Sequence, residues 1–149
     1  MNKSHIKFTL CAAMNQKLFL EVVKGILDRM SVADINATQL LMLINVSDSV
    51  IAMGEVISRE FYIGTNPSYN MGKLTSTGYI EQMPSEHDKR VTYIKLTDKA
   101  LKLCEKVEAE LNRYVKKFKS EHSEHSFEQA LDFIKTLNRF WATVSTLDL

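Results

Sequence analysis

Cysteine is scarce: Cys11 and Cys104 are the whole complement, far apart and outside any C-x-x-C spacing. Neither a disulfide framework nor a metal site is indicated. Long apolar runs are missing too, and none approaches the length of a membrane span. The N-terminus also lacks the charged, apolar, small-residue order of a signal peptide, so a cytoplasmic chain with no membrane partner is expected. Charge of either sign is barely in excess, with 19 Lys and Arg against 18 Asp and Glu for a net +1. A nucleic-acid binder usually carries a larger basic surplus, so bulk charge gives no lead towards one. No Ser/His/Asp set, Gly-rich phosphate loop or paired-carboxylate motif stands out, so an enzyme is not expected and no cofactor is implied. Internal repeats and low-complexity tracts are absent as well. What remains is 149 residues, 45% hydrophobic and 25% charged. That suffices for one domain with a real core, and is too short for two comfortable ones.

Hydrophobic spacing then organises the chain. From His5 to Met30, Cys11, Met14, Leu18, Val22, Ile26 and Met30 recur at steps of three or four, which predicts a helix. Phe8, Phe19, Val23 and Leu27 widen that stripe, as in a helix pressed between two partners. Ser31–Ile35 breaks the pattern. Asn36 and Gln39 have the spacing of a capping box before a helix carrying Leu40, Leu43 and Ile44, and Ser47-Asp48-Ser49 ends it. A third helix is expected from Gly54 to Phe61, closed by Gly64. Thr65 or Asn66 caps a fourth, with Pro67 in its first turn and Gly78 as its stop. Pro67, Met71 and Leu74 share the buried face of that short helix, while Asn66, Tyr69, Asn70 and Lys73 share a polar one.

The period then changes. Tyr79–Met83 and Arg90–Leu96 read as strands joined by the polar turn Pro84–Lys89, a hairpin with a charged tip. Thr97 caps a long helix to Lys119. After the polar connector Ser120–Ser126, a last helix carries Phe127, Leu131, Ile134, Leu137, Trp141 and Val144 on one stripe. The fold class is therefore mainly α with a small β-hairpin wing, in the order α-α-α-α-β-β-α-α. Three short helices followed at once by a hairpin make a winged helix-turn-helix pattern. A helix fits the major groove of DNA, and its polar face can meet base edges there. The positive end of its dipole, near Asn66 to Ser68, suits a phosphate, and the hairpin tip can reach a neighbouring minor groove.

The run Ser68-Tyr69-Asn70-Met71-Gly72-Lys73-Leu74 leading to Gly78-Tyr79-Ile80, then Asp88-Lys89-Arg90 and Leu96-Thr97, resembles the multiple antibiotic resistance regulator (MarR) family of bacterial transcription factors. Motif-level likeness covers about a third of the chain. The resemblance implies a homodimer on a near-palindromic operator of double-stranded DNA, with residues 36–97 as the DNA-binding lobe and residues 5–31 and 98–149 as the helical dimerisation region. Ser68, Tyr69 and Lys73 would contact DNA from the recognition helix, joined by Asn66 and Asn70 on its polar face. Arg90 would be the wing arginine, positioned by Asp88. The family commonly answers small-molecule effectors or oxidants, which implies an effector-responsive repressor. Its two recognition helices would lie about one DNA turn apart, roughly 34–36 Å. Asn70 stands where the family usually has an aliphatic residue, and Tyr69 where a basic one is frequent.

Simpler readings stand beside these. The polar face of the fourth helix could be merely solvated, Asp88–Arg90 a surface turn, and Tyr69 tucked back on its domain. Both cysteines are by default buried and structural, with Cys11 the candidate redox sensor because it falls near the expected dimer interface. His122 and His125 are more simply solvated than metal-binding. From Gly54 to Thr97, five basic residues (Arg59, Lys73, Lys89, Arg90, Lys95) balance five acidic ones (Glu55, Glu60, Glu81, Glu86, Asp88). Few free cations predict a shallow salt dependence and more reliance on Asn, Ser and Tyr hydrogen bonds. A winged module that binds protein instead of nucleic acid is the alternative.

Overall fold

The computed structural model describes residues 3–58, 66–119 and 123–146. Its elements are α1 (Ser4–Arg29), α2 (Ala37–Val46), β1 (Ile51–Ala52), α3 (Met53–Ser58), α4 (Pro67–Ser76), β2 (Ile80–Pro84), β3 (Thr92–Leu96), α5 (Asp98–Lys119) and α6 (Glu124–Ser145). The chain divides into two units, Met1–Ala109 and Glu110–Leu149.

In the first unit the core is built from one face of each element. Helix α1 packs on α2, with Val23, Ile26 and Leu27 of the first and Leu40, Met42, Leu43 and Val46 of the second buried. Val56 of α3, Met71 and Leu74 of α4, Ile80, Ile94 and Leu96 of the sheet, and Ala100, Leu103, Cys104 and Val107 of α5 are also buried. The wide stripe predicted on α1 is thus only part-used. Its last turns are buried, whereas Ile6, Leu10, Met14, Leu18, Phe19 and Val22 stay exposed. Cys11 lies on this open stretch and is exposed, against the expectation of burial. Cys104 is buried, and burial pushes its thiol up to about 11, so it stays protonated at neutral pH.

The predicted caps are present. Asn36 Oδ1 accepts from the Gln39 N–H at 2.9 Å and Gln39 Oε1 accepts from the Asn36 N–H at 3.0 Å, a reciprocal capping box. Thr97 Oγ1 accepts from the Ala100 N–H at the start of α5. At the end of α4 the Tyr79 N–H bonds the Leu74 carbonyl and the Gly78 N–H bonds that of Thr75, a Schellman motif. Gly78 supplies the left-handed φ of +77° that this motif needs.

Two expectations change. The wing is the larger part of a three-stranded antiparallel sheet in the order β1-β3-β2, with Ile51 opposite Ile94 and Gln82 opposite it on the other side. A two-residue strand has no period, so its pairing with β3 leaves no mark in sequence. The last helix also begins earlier than Phe127, because Ser123 Oγ accepts from the Ser126 N–H and caps Glu124 onwards. The predicted end of the third helix at Phe61, its stop Gly64, the alternative cap Thr65, Arg59 and His122 lie outside the described residues.

In the second unit, α6 buries no residue. Leu131, Phe133, Phe140 and Trp141 are exposed, and Phe118 meets Phe127 edge-on at 5.5 Å between ring centres. His125 is exposed, and no metal-binding group of His, Cys, Asp and Glu occurs among the described residues.

A Cβ at position 78 would meet nothing within 4 Å, so its cost is that of backbone conformation alone. Gly78→Ala is therefore expected to lose about 1 kcal/mol of stability, with a smaller loss for Gly78→Asn. Thermal melts measure both, and an unchanged midpoint for the alanine variant would contradict this account of the turn.

Candidate nucleic-acid interface

Helix α4 starts at Asn66, whose side chain accepts from the Tyr69 N–H at 3.1 Å, and Pro67 fills the first position, where no N–H is needed. Met71 and Leu74 anchor its inner face, both essentially inaccessible. The outer face carries Tyr69, Gly72, Lys73 and Ser76, all exposed, with Asn66 and Ser68 exposed at the leading end. Tyr69 is 66% exposed and does not tuck back on the domain. Gly72 and Ser76 were missed from sequence, since small residues carry no periodic signal. Gly72 in a helix interior costs about 1 kcal/mol relative to alanine.

Asn70 is a correction. Sequence placed it on the polar, DNA-facing side, yet it is only 6% exposed, and its Oδ1 accepts from Gln39 Nε2 at 3.0 Å. A buried amide without that partner would be costly. Asn70 is polar because Gln39 is, and the pair fixes which side of α4 faces out. Sequence held no signal for this pairing across 31 positions.

The far end of α4 is held by charge. Lys99 Nζ donates to Asp34 Oδ2 at 2.8 Å and to the Thr77 carbonyl at 3.0 Å, and it lies 4.0 Å over the Tyr79 ring. The Tyr79 hydroxyl donates to Asp34 Oδ1 at 2.8 Å. Gln82 Nε2 donates to Thr75 Oγ1 at 2.9 Å and ties β2 to the same helix.

On the wing, Asp88 Oδ1 accepts from the backbone N–H of Arg90 at 2.9 Å, while Ser85 Oγ accepts from the backbone N–H groups of His87 and Asp88. Asp88 therefore shapes the turn through the Arg90 backbone. Lys89 and Arg90 are exposed. Lys95 is neutralised by its cross-strand neighbour Glu81 at 3.0 Å. Among the described residues of the lobe, Lys73, Lys89 and Arg90 are the cations with no ion-pair partner.

Burial pushes the Asp34 carboxyl upward, but the hydrogen bonds from Lys99 and Tyr79, with the Lys99 charge, outweigh it and hold the group below its ordinary value. Donating that hydrogen bond to Asp34 lifts Lys99, and burial, then Asp34, lift the Tyr79 phenol. An acid held low stabilises the fold above the usual carboxylate range and loses that contribution as pH falls through it. Asp34→Ala should cost about 1 kcal/mol at neutral pH, kept small by solvent screening of these half-exposed partners. The gap between melts of wild type and variant should begin to narrow as pH falls through about 4 and keep narrowing below that, because the folded-state value lies lower still. A gap that stays constant from neutral pH down to about pH 2 would argue against the electrostatic account.

Residues 54–100 match the family described as winged helix DNA-binding domain. The exopolysaccharide II synthesis transcriptional activator ExpG of Rhizobium meliloti is 30% identical over 99 residues, covering 65% of this chain and 51% of ExpG. The chain thus spans about half the length of this curated relative. Streptococcus pneumoniae FabT, solved in complex with DNA, superposes with a TM-score of 0.71 at 19% identity, over 96% of this chain and 99% of that one. A MarR-like transcription regulator from Bacillus cereus gives 0.68 at 14% identity, over 93% and 99%. ExpG is described as a transcriptional activator and the Bacillus protein as a transcription regulator. Among the described residues no helix is long and apolar enough to cross a membrane. Residues 54–100 thus resemble a winged helix DNA-binding domain, and the chain shares its fold with a MarR-like transcription regulator.

Proposed function

We propose that this chain is a cytoplasmic transcriptional regulator that binds double-stranded DNA as a homodimer. The observation that carries the reading is the outward face of α4, polar and exposed beside a hairpin whose tip presents Lys89 and Arg90. In this reading Tyr69, Lys73 and Ser68 enter the major groove, the leading end of α4 at Asn66 faces a phosphate, and Arg90 reaches the adjacent minor groove. Asp88 positions Arg90 by holding its backbone. FabT, which shares the fold, was solved on DNA.

The dimer is supported by apolar surface left open in one chain. Leu10, Met14 and Leu18 on α1, in the first unit, and Leu131, Phe133, Phe140 and Trp141 on α6, in the second, are exposed. Surfaces of this kind mark association sites, and self-association is most simply two-fold. Cys11 sits within the α1 stretch. A small-molecule effector or an oxidant acting at Cys11 would regulate such a dimer only by favouring one spacing of the two heads over another. An operator overlapping the promoter would make the protein a repressor, whereas its relative ExpG is an activator.

Selection of bound duplexes from a random pool tests the function. An enriched palindrome supports it, and no enrichment would leave a protein-interaction module. On the selected duplex, Lys73→Ala and Arg90→Ala should each weaken binding about tenfold, and Lys73→Ala should lower the log–log salt slope by about 1. Unchanged affinity in both variants would remove these residues from the interface. Analytical ultracentrifugation should find two chains per particle at micromolar concentration, and a monomer there would overturn the dimer.

A further inference from the structure

Gly72 does nothing visible inside the protein. It lies mid-way along α4 on the exposed side, between Tyr69 and Lys73 on one hand and Ser76 on the other. A Cβ built there meets nothing within 4 Å, so no described neighbour excludes a side chain. Its φ is not in the left-handed region, so no turn demands glycine either. A helix interior is where glycine is least favourable, and alanine would fit this backbone freely. The adjoining anchors do not need it: Asn70 is bonded to Gln39, and Met71 is buried whatever stands at 72.

We propose that Gly72 is a close-approach point for DNA, a specificity-determining position on the recognition helix. The proposal rests on the DNA-binding reading above. Without a side chain at 72, the α4 backbone comes directly against the base edges of the major groove. That lets Tyr69, three residues before it, and Lys73, the residue after it, reach deeper than they would across a methyl group. A Cβ would hold the helix back along its whole length, because Gln39 and Lys99 keep α4 rigid against its lobe. Small displacements of a rigid reading element weaken every base contact together.

The test is Gly72→Ala in the full-length chain, with Gly72→Val as a larger step. Gly72→Ala should raise the melting midpoint by about 3 °C while weakening binding to the selected duplex about tenfold. Gly72→Val should bind more weakly still. The salt slope should stay at the wild-type value, since no charge is removed. This sets the variant apart from Lys73→Ala, and loss of affinity alongside gain of stability is a pattern that a structural role does not produce. Unchanged or tighter binding by Gly72→Ala would overturn the proposal, as would a lower melting midpoint, which would mean the glycine serves the fold. If the wild-type chain selects no duplex, the DNA-binding reading fails and takes the proposal with it. If wild type selects one and Gly72→Ala binds it equally well, the proposal alone fails.

Discussion

The side-chain amide of Gln39 is the constraint on which the presented surface depends. Its oxygen closes the capping box of α2 and its nitrogen grips Asn70 in the middle of α4, so one buried group serves two helices. A helix ten residues long held only by Met71 and Leu74 would have soft rotational freedom about its axis, because apolar packing is weakly directional. A buried hydrogen bond is directional, and rotating α4 would leave both amides unpaired in the core. The exposed face is therefore fixed as the complement of that bond. The Lys99 clamp works differently. It seizes the carboxyl end of α4, where the helix dipole favours a cation, and ties it to Asp34 in the segment between α1 and α2. Orientation is set in the core by a neutral pair, and the exit is set at the surface by a charged one.

Charge in the lobe is arranged by cancellation. Lys95 is neutralised across the sheet by Glu81, and Lys99 is committed to Asp34. The cations left to meet an anionic partner are at one place on α4 and at the wing tip. A net charge near zero is thus compatible with a directed positive surface, because two of the lysines that would broaden it are already paired. Such a surface gives little long-range attraction and puts the burden of recognition on short-range contacts.

Much of this was legible in the sequence, and the reasons are specific. Asn36 with Gln39, Pro67 after Asn66, and Gly78 at the end of the α4 pattern are local signals. Each rests on backbone groups a few residues apart, and each element appears where the signal placed it. Some misses are local, such as the Ser123 cap that starts the last helix before Phe127, but the larger ones are non-local. The strand β1 exists only because Ile94 lies opposite Ile51. Asn70 is turned inward by a residue 31 positions away. The reading of Cys11 as buried failed because an apolar stripe reports what a helix face is suited to contact, and a single chain need not supply that contact. Periodicity gave the apolar faces of the helices, though it put Asn70 on the wrong side of α4. On α1 and α6 one chain leaves much of that apolar face uncovered.

That last point separates two kinds of exposed feature in this molecule. The apolar residues of α1 and α6 are unfavourable in water, and each gains by being covered, so their exposure in one chain carries a thermodynamic drive to associate. Gly72 is the reverse case: filling its vacant position would stabilise the isolated chain, so the vacancy carries a standing cost with no return inside the fold. Natural sequences lose such costs readily where nothing opposes the change, because stabilising substitutions at exposed helix positions are easy to reach. An apolar surface that should be covered and a gap that should be filled point to partners of different kinds. The first calls for a matching apolar face, such as a second copy presents. The second calls for a surface that must come close to a backbone without burying apolar area, and the polar floor of a DNA groove has that chemistry.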